Sequence, residues 1–147
     1  MITTLRSKSG APRPVATCGV RMTKFLLIGL GGFVGANLRY LVQQWAAVRW
    51  GANFPYGTLI ANVTGSFILG LFLTLVTERI SVSPNWRYLI AVGVLGGYTT
   101  FSSFTYEALN LAETGRWLPA FLYTVGNVAL GLAFALLGIA LARNIMR

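Results

Sequence analysis

The chain has 147 residues, of which 55% are hydrophobic, 12 are Lys or Arg and only 3 are Asp or Glu. A soluble domain of this size needs more charge to cover its surface, so the composition indicates a membrane protein. The sequence has no His and one Cys. It therefore offers no disulfide framework, no His/Cys metal site and no Ser–His or Cys–His nucleophile, and an enzyme is not expected.

The basic residues do not form a nucleic-acid-binding surface. The net charge of +9 comes mainly from the N-terminal tail and from residues beside apolar runs, as at a membrane border. Residues 1–21 are polar and basic and contain no apolar core, so they are not a secretory signal peptide. We expect this extension to be disordered, or Met22 to be the true start. Residues 22–147 then form the membrane domain.

Four apolar segments are each long enough to cross about 30 Å of hydrocarbon as a helix of about 20 residues. Because the connections are short, successive helices should be antiparallel neighbours, with both termini on one side. We therefore predict an all-α, multi-pass membrane protein with four transmembrane helices per subunit. A polar pathway in so thin a bundle needs a second copy around it, so a two-fold dimer is expected. The predicted spans are about 24–48, 57–77, 86–111 and 117–142.

The orientation in the membrane is only weakly specified from Lys24 onward. Five basic residues lie on the side of the termini and two on the other side, a modest bias by the positive-inside rule. The basic tail would make this bias strong and fix the N-terminus inside, whereas without it insertion in both orientations is conceivable. The residues counted are Lys24, Arg79, Arg87, Arg143 and Arg147 against Arg49 and Arg116.

The first span contains a G-x-x-x-G pattern, Gly31 and Gly35, which is typical of close helix packing. Arg39 lies well inside the same span. An arginine at that depth should face a water-filled cavity or a partner, where its charge favours anions. The alternative is a side chain that extends to a lipid headgroup.

Polar side chains recur on one face of the second span, because Thr58, Asn62 and Ser66 are four residues apart. Hydroxyls such as those of Thr64 and Ser66 are interpreted as helix-to-helix hydrogen bonds beside a stripe of small residues. Asn62 is a candidate functional residue, because burying an amide without partners is costly. The small residues are Gly57, Ala61 and Gly65.

The third span carries six hydroxyls within residues 96–105. Lipid does not tolerate so many polar groups in a weakened helix unless protein or water covers them, so we predict a functional site here. Gly96 and Gly97 each weaken a helix by about 1 kcal/mol relative to Ala. The pair indicates either a helix break whose free carbonyls form a cation site, or a simple kink.

Phe101 and Phe104 are three residues apart and share a face of this hydroxyl-rich helix. Aromatic ring edges are electropositive, so two rings can replace part of the water around a small anion. The alternative for the rings is core packing or lipid contact. Ser103 and Glu107 extend the polar line toward one mouth, although Glu107 is equally compatible with an ordinary interfacial position.

The fourth span also has a polar face. Tyr123, Asn127 and Gly131 recur at four-residue intervals. They either complete the polar lining or bond to a neighbouring helix.

Three motifs in order carry a family resemblance: GGFVGANLRY from Gly31, GTLIANVTGSF from Gly57 and GGYTTFSSF from Gly96. Over nearly all of residues 24–147 the sequence resembles the CrcB/Fluc family of fluoride channels. The resemblance implies an antiparallel, dual-topology homodimer in the cell (inner) membrane, with two pores that passively lower cytoplasmic fluoride. It also implies that the third helix is broken at its centre.

The resemblance further implies residue roles. Carbonyls of Gly96 and Thr99 from both subunits would hold a structural sodium ion (Na+) at the dimer centre. Two features depart from the family pattern, namely Asn127 and the basic tail. The implied pore residues are Asn62, Phe101, Phe104 and Tyr123, to which the polar faces add Thr58 and Ser103, with Arg39 and Glu107 at the vestibule.

Two other classes of function fit the sequence less well. A small four-helix, dimeric proton-coupled drug exporter needs a carboxylate within the membrane, usually on the first helix, where this chain has Arg39 instead. A packing subunit with no transport role does not need polar faces on three helices. Both classes are therefore disfavoured.

Overall fold

The computed structural model describes residues 22–78 and 82–145, and these residues contain helices and no strand. Residues 1–21, predicted as a basic extension, lie outside the described part, as does Arg79. The helices are α1 (Met22–Trp50), α2 (Tyr56–Glu78), α3 (residues 84–98), α4 (Phe101–Glu113) and α5 (Trp117–Ile145).

Three helices, α1, α2 and α5, are each long and apolar enough to cross a membrane. The remaining predicted span is divided between α3 and α4, which two extended residues separate. α3 consists of three consecutive pieces, Pro84–Trp86, Arg87–Leu95 and Gly96–Tyr98, and the middle piece is a π-helix. The prediction of an all-α membrane protein is thus confirmed, and the third span is broken.

Small residues set the distance between the helices. α2 packs most extensively along α5, and a Cβ added at Gly138 would overlap the Phe67 carbonyl. α1 packs on α3 in the same way, since a Cβ at Gly35 would overlap the Val94 carbonyl. The packing interpretation of the G-x-x-x-G pattern is therefore confirmed.

The short loops are closed by glycines in the left-handed region, where residues with a Cβ are strained. Gly51 (φ 81°) follows α1, and Gly115 (φ 76°) follows α4. After α4, the Arg116 N–H donates back to the Leu111 carbonyl at 2.9 Å, a Schellman-type end. These turns bring the C-terminal ends of α1 and α4 to the same end of the bundle as the N-terminal ends of α2 and α5.

The break in the third span lies later than predicted. Gly96–Tyr98 is helical, and the extended residues are Thr99 (φ −81°, ψ 156°) and Thr100 (φ −151°, ψ 126°). The predicted break from Gly96 to Thr99 therefore overlaps the observed break only at Thr99. The physical reason is packing: a Cβ at Gly97 would lie 2.8 Å from the Gly32 carbonyl oxygen, so this glycine permits helix contact rather than a turn.

Candidate functional site

The break is held by the side chain of Asn62 on α2. Its Oδ1 accepts a hydrogen bond from the Thr100 N–H at 2.8 Å, and its Nδ2 donates to the Thr100 carbonyl at 3.1 Å. The same Nδ2 donates to Asn127 Oδ1 on α5 at 3.0 Å. Asn62 Oδ1 thus satisfies the Thr100 N–H, which a continuous helix would have paired with the Gly96 carbonyl. Asn62 and Asn127, both predicted as polar-face residues, meet at this point.

Thr100 also begins α4 as its N-cap. The Ser103 N–H donates to Thr100 Oγ1 at 3.2 Å, and the Thr100 hydroxyl donates to Ser103 Oγ at 3.1 Å. A β-region threonine whose side chain accepts from the N3 amide is the usual start of a helix. Thr100 is buried, so the break is a packed feature of the bundle.

The carbonyls of residues 96–99 have lost their helical donors at the break, and those of Gly96 and Thr99 are among them. In a continuous helix the Gly96 carbonyl would accept from the Thr100 N–H, and the Thr99 carbonyl from the Ser103 N–H. Those amides donate instead to Asn62 Oδ1 and to Thr100 Oγ1. Free backbone carbonyls are ligands of the kind that alkali cations prefer. No group of three or more His, Cys, Asp or Glu side chains in the described ranges is placed to hold a metal.

A second hydrogen-bonded cluster surrounds Glu107 on α4. The Thr58 hydroxyl donates to Glu107 Oε1 at 2.9 Å, and the Tyr123 hydroxyl donates to Oε2 at 2.6 Å. Thr58 and Tyr123 are almost fully buried, with 1% and 0% of their surface exposed, so the cluster lies between α2, α4 and α5. Hydrogen bonds to a carboxylate are stronger than those between neutral groups. Of its two interpretations, Glu107 fits the polar line and not an ordinary interfacial position.

The two clusters are connected through α5. Asn127 Nδ2 donates to the Tyr123 carbonyl at 3.1 Å, and Asn127 Oδ1 accepts from Asn62. The two clusters therefore share Tyr123, and the residues from Glu107 through Tyr123 and Asn127 to Asn62 at the helix break form the polar line. Buried side-chain polar atoms without a partner do not occur in the described ranges.

Aromatic rings accompany this line. The Phe101 and Phe104 ring centroids are 5.5 Å apart, and those of Phe104 and Tyr123 are 5.6 Å apart. Phe54, from the loop after α1, makes an edge contact with Tyr123 at 5.4 Å. Phe104 is buried, whereas 75% of Phe101 is exposed on the outside of the subunit. The structure thus brings the two predicted rings together but leaves one of them open to a partner or to lipid.

A cavity of about 580 Å³ opens at the end of the bundle that carries the 51–55 loop. Thr58 and Glu107 lie on its wall, so the cavity reaches the polar line. Pockets of this size are typical of small-molecule sites, and the polar lining here suits water and ions. The other polar residues of the wall are Gln43, Gln44, Asn53, Asn110, Thr114 and Arg116.

Arg39, predicted at the vestibule, is not part of this arrangement. It is half-buried on α1 and does not line the cavity. Within residues 22–78 and 82–145 its guanidinium makes no hydrogen bond or ion pair. The Ser66 hydroxyl donates to the Asn62 carbonyl of its own helix at 2.7 Å, and the Thr64 hydroxyl lies 3.0 Å from Tyr98 OH. Of these two hydroxyls, only that of Thr64 therefore makes the predicted hydrogen bond to another helix.

Sequence reasoning missed two residues that contact the site. Gln43 on α1 donates through Nε2 to Thr58 Oγ1 at 2.9 Å, and Phe54 packs against Tyr123. The spacing of Gln43 within α1 gave a weak signal, because a polar amide in an apolar span needs a partner. Phe54 gave no signal in the sequence, because it lies in a loop outside any helical pattern.

These features define a multi-pass helical membrane protein whose bundle contains a hydrogen-bonded polar line beside a broken helix. The family model described as "CrcB-like protein, Camphor Resistance (CrcB)" matches residues 26–139. The chain therefore belongs to the CrcB family, and the resemblance drawn from the three glycine motifs is confirmed. Curated relatives are named as ion channels, which agrees at a general level with the expectation of a protein other than an enzyme.

Curated relatives support this assignment along nearly their whole length. A protein of Roseiflexus sp. (strain RS-1) named "Fluoride-specific ion channel FluC" is 51% identical over 118 residues, which are 80% of this chain and 95% of that protein. A protein of the same name from Sulfurihydrogenibium sp. (strain YO3AOP1) is 48% identical over 122 residues, 83% of this chain and 98% of the relative. The corresponding protein of Chloroflexus aurantiacus (strain ATCC 29366 / DSM 635 / J-10-fl) is 47% identical, also over 122 residues.

Proposed function

We propose that this protein is a fluoride-selective channel that passively exports fluoride across the cell (inner) membrane and so lowers its cytoplasmic concentration. The observation that carries the proposal is the polar line from the cavity past Glu107 and Tyr123 to Asn62, within a bundle of the CrcB family. Relatives named as fluoride-specific channels support the choice of ion. No second function is favoured, because α1 has no carboxylate for proton-coupled export.

The chemistry of the line suits a small, strongly hydrated anion. Such an ion enters a pore only if the protein replaces the water it leaves behind. Hydroxyl groups of Thr58, Ser103 and Tyr123 and the amide of Asn62 are donors, and the edges of Phe101 and Phe104 are weakly electropositive. Neutral donors and ring edges stabilise an anion without holding it as tightly as a full positive charge would.

The functional unit that we propose is an antiparallel, dual-topology homodimer. Gly96, Phe101 and Ser102 are exposed on the outside of a single subunit, next to the break. Lipid does not tolerate irregular backbone with free carbonyls, so this face needs a protein partner. A second copy of the same face, related by a two-fold axis, is the simplest cover.

A structural sodium ion at the centre of this dimer completes the proposal. The Gly96 and Thr99 carbonyls have no helical donor, because the Thr100 N–H donates to Asn62 Oδ1 and the Ser103 N–H donates to Thr100 Oγ1. Two such carbonyls from each subunit fit a monovalent cation, which would neutralise four converging dipoles. The ion would stabilise the assembly, and no step of conduction is assigned to it.

Fluoride efflux from proteoliposomes tests the proposal. Vesicles loaded with potassium fluoride and containing the purified protein should release fluoride when valinomycin removes the opposing voltage. Vesicles loaded with potassium chloride are the matched control and should release little chloride. The proposal fails if there is no fluoride release above empty vesicles, or if chloride is released at the same rate.

A further inference from the structure

Gln43 on α1 makes a hydrogen bond that joins the cavity to the polar line. Its Nε2 donates to Thr58 Oγ1 at 2.9 Å, and both residues lie on the cavity wall. Thr58 in turn donates to Glu107 Oε1. Gln43 is therefore linked to Glu107 through a single residue, Thr58.

Thr58 is unlike most other hydroxyl residues of these helices. A helical Ser or Thr usually donates to the carbonyl of the preceding turn of its own helix. Thr58 instead donates to another helix, α4. Hydroxyls that follow the usual pattern, with the carbonyl four residues earlier as acceptor, belong to Thr64, Ser66, Thr74, Thr99, Thr114 and Thr124.

The direction of the Thr58 hydroxyl follows from its two partners. A hydroxyl has one proton and two acceptor lone pairs. Because the Gln43 N–H occupies the side of Oγ1 that faces α1, the Thr58 proton has no acceptor there and points into the bundle. The Gln43 donor thus holds the Thr58 proton on Glu107 Oε1, at the point where the cavity reaches the polar line.

The Cα, Cβ and Cγ atoms of Gln43 pack against α2, and this contact does not involve its side-chain amide. A Cβ at Gly57 would overlap the Gln43 Cα and would lie 3.1 Å from its Cβ and Cγ, so α1 and α2 touch at this position. This contact depends on the backbone and the first side-chain carbons, which methionine also has. A Gln43→Met variant therefore removes the donor and keeps the packing.

From this geometry we propose that Gln43 is a positioning residue of the anion pathway, which holds the Thr58 hydroxyl on Glu107 Oε1 and so fixes the cavity end of the pathway. The inference rests on the proposed channel function. Asn37 is the matched comparison, because it is also an amide on α1 but lies outside the cavity wall, and its Nδ2 donates to the Phe33 carbonyl of the same helix at 2.7 Å.

Fluoride efflux measured against fluoride concentration tests the role of Gln43. In Gln43→Met the half-saturating fluoride concentration should rise about 2- to 10-fold, the factor that one net hydrogen bond is worth. Asn37→Leu should keep the wild-type value. A packing defect would lower only the maximal flux, so a lowered maximum with an unchanged half-saturating concentration overturns the proposal. An unchanged Gln43→Met variant overturns it as well.

The Thr58→Val background shows whether Gln43 acts through Thr58. With valine at position 58, Gln43→Met should have no further effect, whereas an equal shift in both backgrounds contradicts the proposal. If the wild type does not conduct, the proposed function fails. In that case the coupling between Gln43 and Thr58 is tested by the apparent melting temperatures of the wild type, Gln43→Met, Thr58→Val and the double variant. Non-additive losses support the Gln43–Thr58 coupling, and additive losses overturn it.

Discussion

The side-chain amide of Asn62 pairs with both backbone groups of Thr100, accepting from its N–H at 2.8 Å and donating to its carbonyl at 3.1 Å. A primary amide presents a donor and an acceptor side by side, which matches the two groups of one extended residue. The break in the third span therefore depends on a side chain 38 positions earlier in the chain.

Replacing Asn62 should destabilise the protein strongly. Asn62→Ala leaves the Thr100 N–H without its partner, at about 1 to 3 kcal/mol for a buried group. We expect a clear loss of apparent melting temperature together with a loss of fluoride efflux. Ser66→Ala is the control, because its hydroxyl bonds only to the Asn62 carbonyl of its own helix, which already belongs to the helical ladder. Equal losses in both variants would contradict the role given to the amide.

The aromatic rings are expected to be essential for flux but not for folding. Phe101→Ile and Phe104→Ile remove the electropositive ring edges while keeping most of the apolar volume. Fluoride efflux should fall below detection in both, with the elution volume in gel filtration unchanged. Phe121→Ile, an exposed aromatic on α5, should conduct like the wild type. Wild-type flux in both test variants would remove the rings from the mechanism.

The Glu107 carboxylate is expected to stabilise the bundle through its two hydroxyl donors. In Glu107→Gln the amide has one acceptor oxygen for two hydroxyls, so one donor meets an N–H group instead. We expect a loss of about 1 to 3 kcal/mol of stability, measured by thermal or denaturant unfolding in detergent. Glu113→Gln, at the exposed end of α4, should change stability little. The role of Glu107 is contradicted if the two variants unfold alike.

A bound sodium ion should raise the stability of the purified protein. A ligand that binds only the folded state adds about 2.7 kcal/mol at 100 times its dissociation constant. The apparent melting temperature should therefore rise with sodium chloride concentration and stay constant in choline chloride at the same ionic strength. Identical melting curves in the two salts would count against a cation at the Gly96 and Thr99 carbonyls.

The basic tail should determine the membrane orientation. From Lys24 onward the charge bias is only five to two, so a chain that starts at Met22 should insert in both directions, as an antiparallel dimer requires. The chain with residues 1–21 should insert with its N-terminus inside. Accessibility of single cysteines to a membrane-impermeant reagent, introduced at each end of the bundle in a Cys18→Ser background, measures both cases. A single orientation for the shorter chain would exclude dual topology.

The sequence by itself determined the class of protein and the elements that carry the site. Apolar length predicted the helices because a span must satisfy its own backbone in lipid. Four-residue spacing placed Thr58 and Asn62 on one face of α2, and Tyr123 and Asn127 on one face of α5. Such periodicity reports on one helix at a time, so it does not say which faces meet.

Only the tertiary structure decided how these faces are joined. The break falls at Thr99 and Thr100, because Asn62 from α2 captures the Thr100 backbone and the preceding glycine pair is used for packing on α1. Glu107 becomes the centre of a cluster because α2 and α5 bring hydroxyls to both of its oxygens. Gln43 joins the site for the same reason, because the crossing of α1 and α2 places its amide beside the Thr58 hydroxyl.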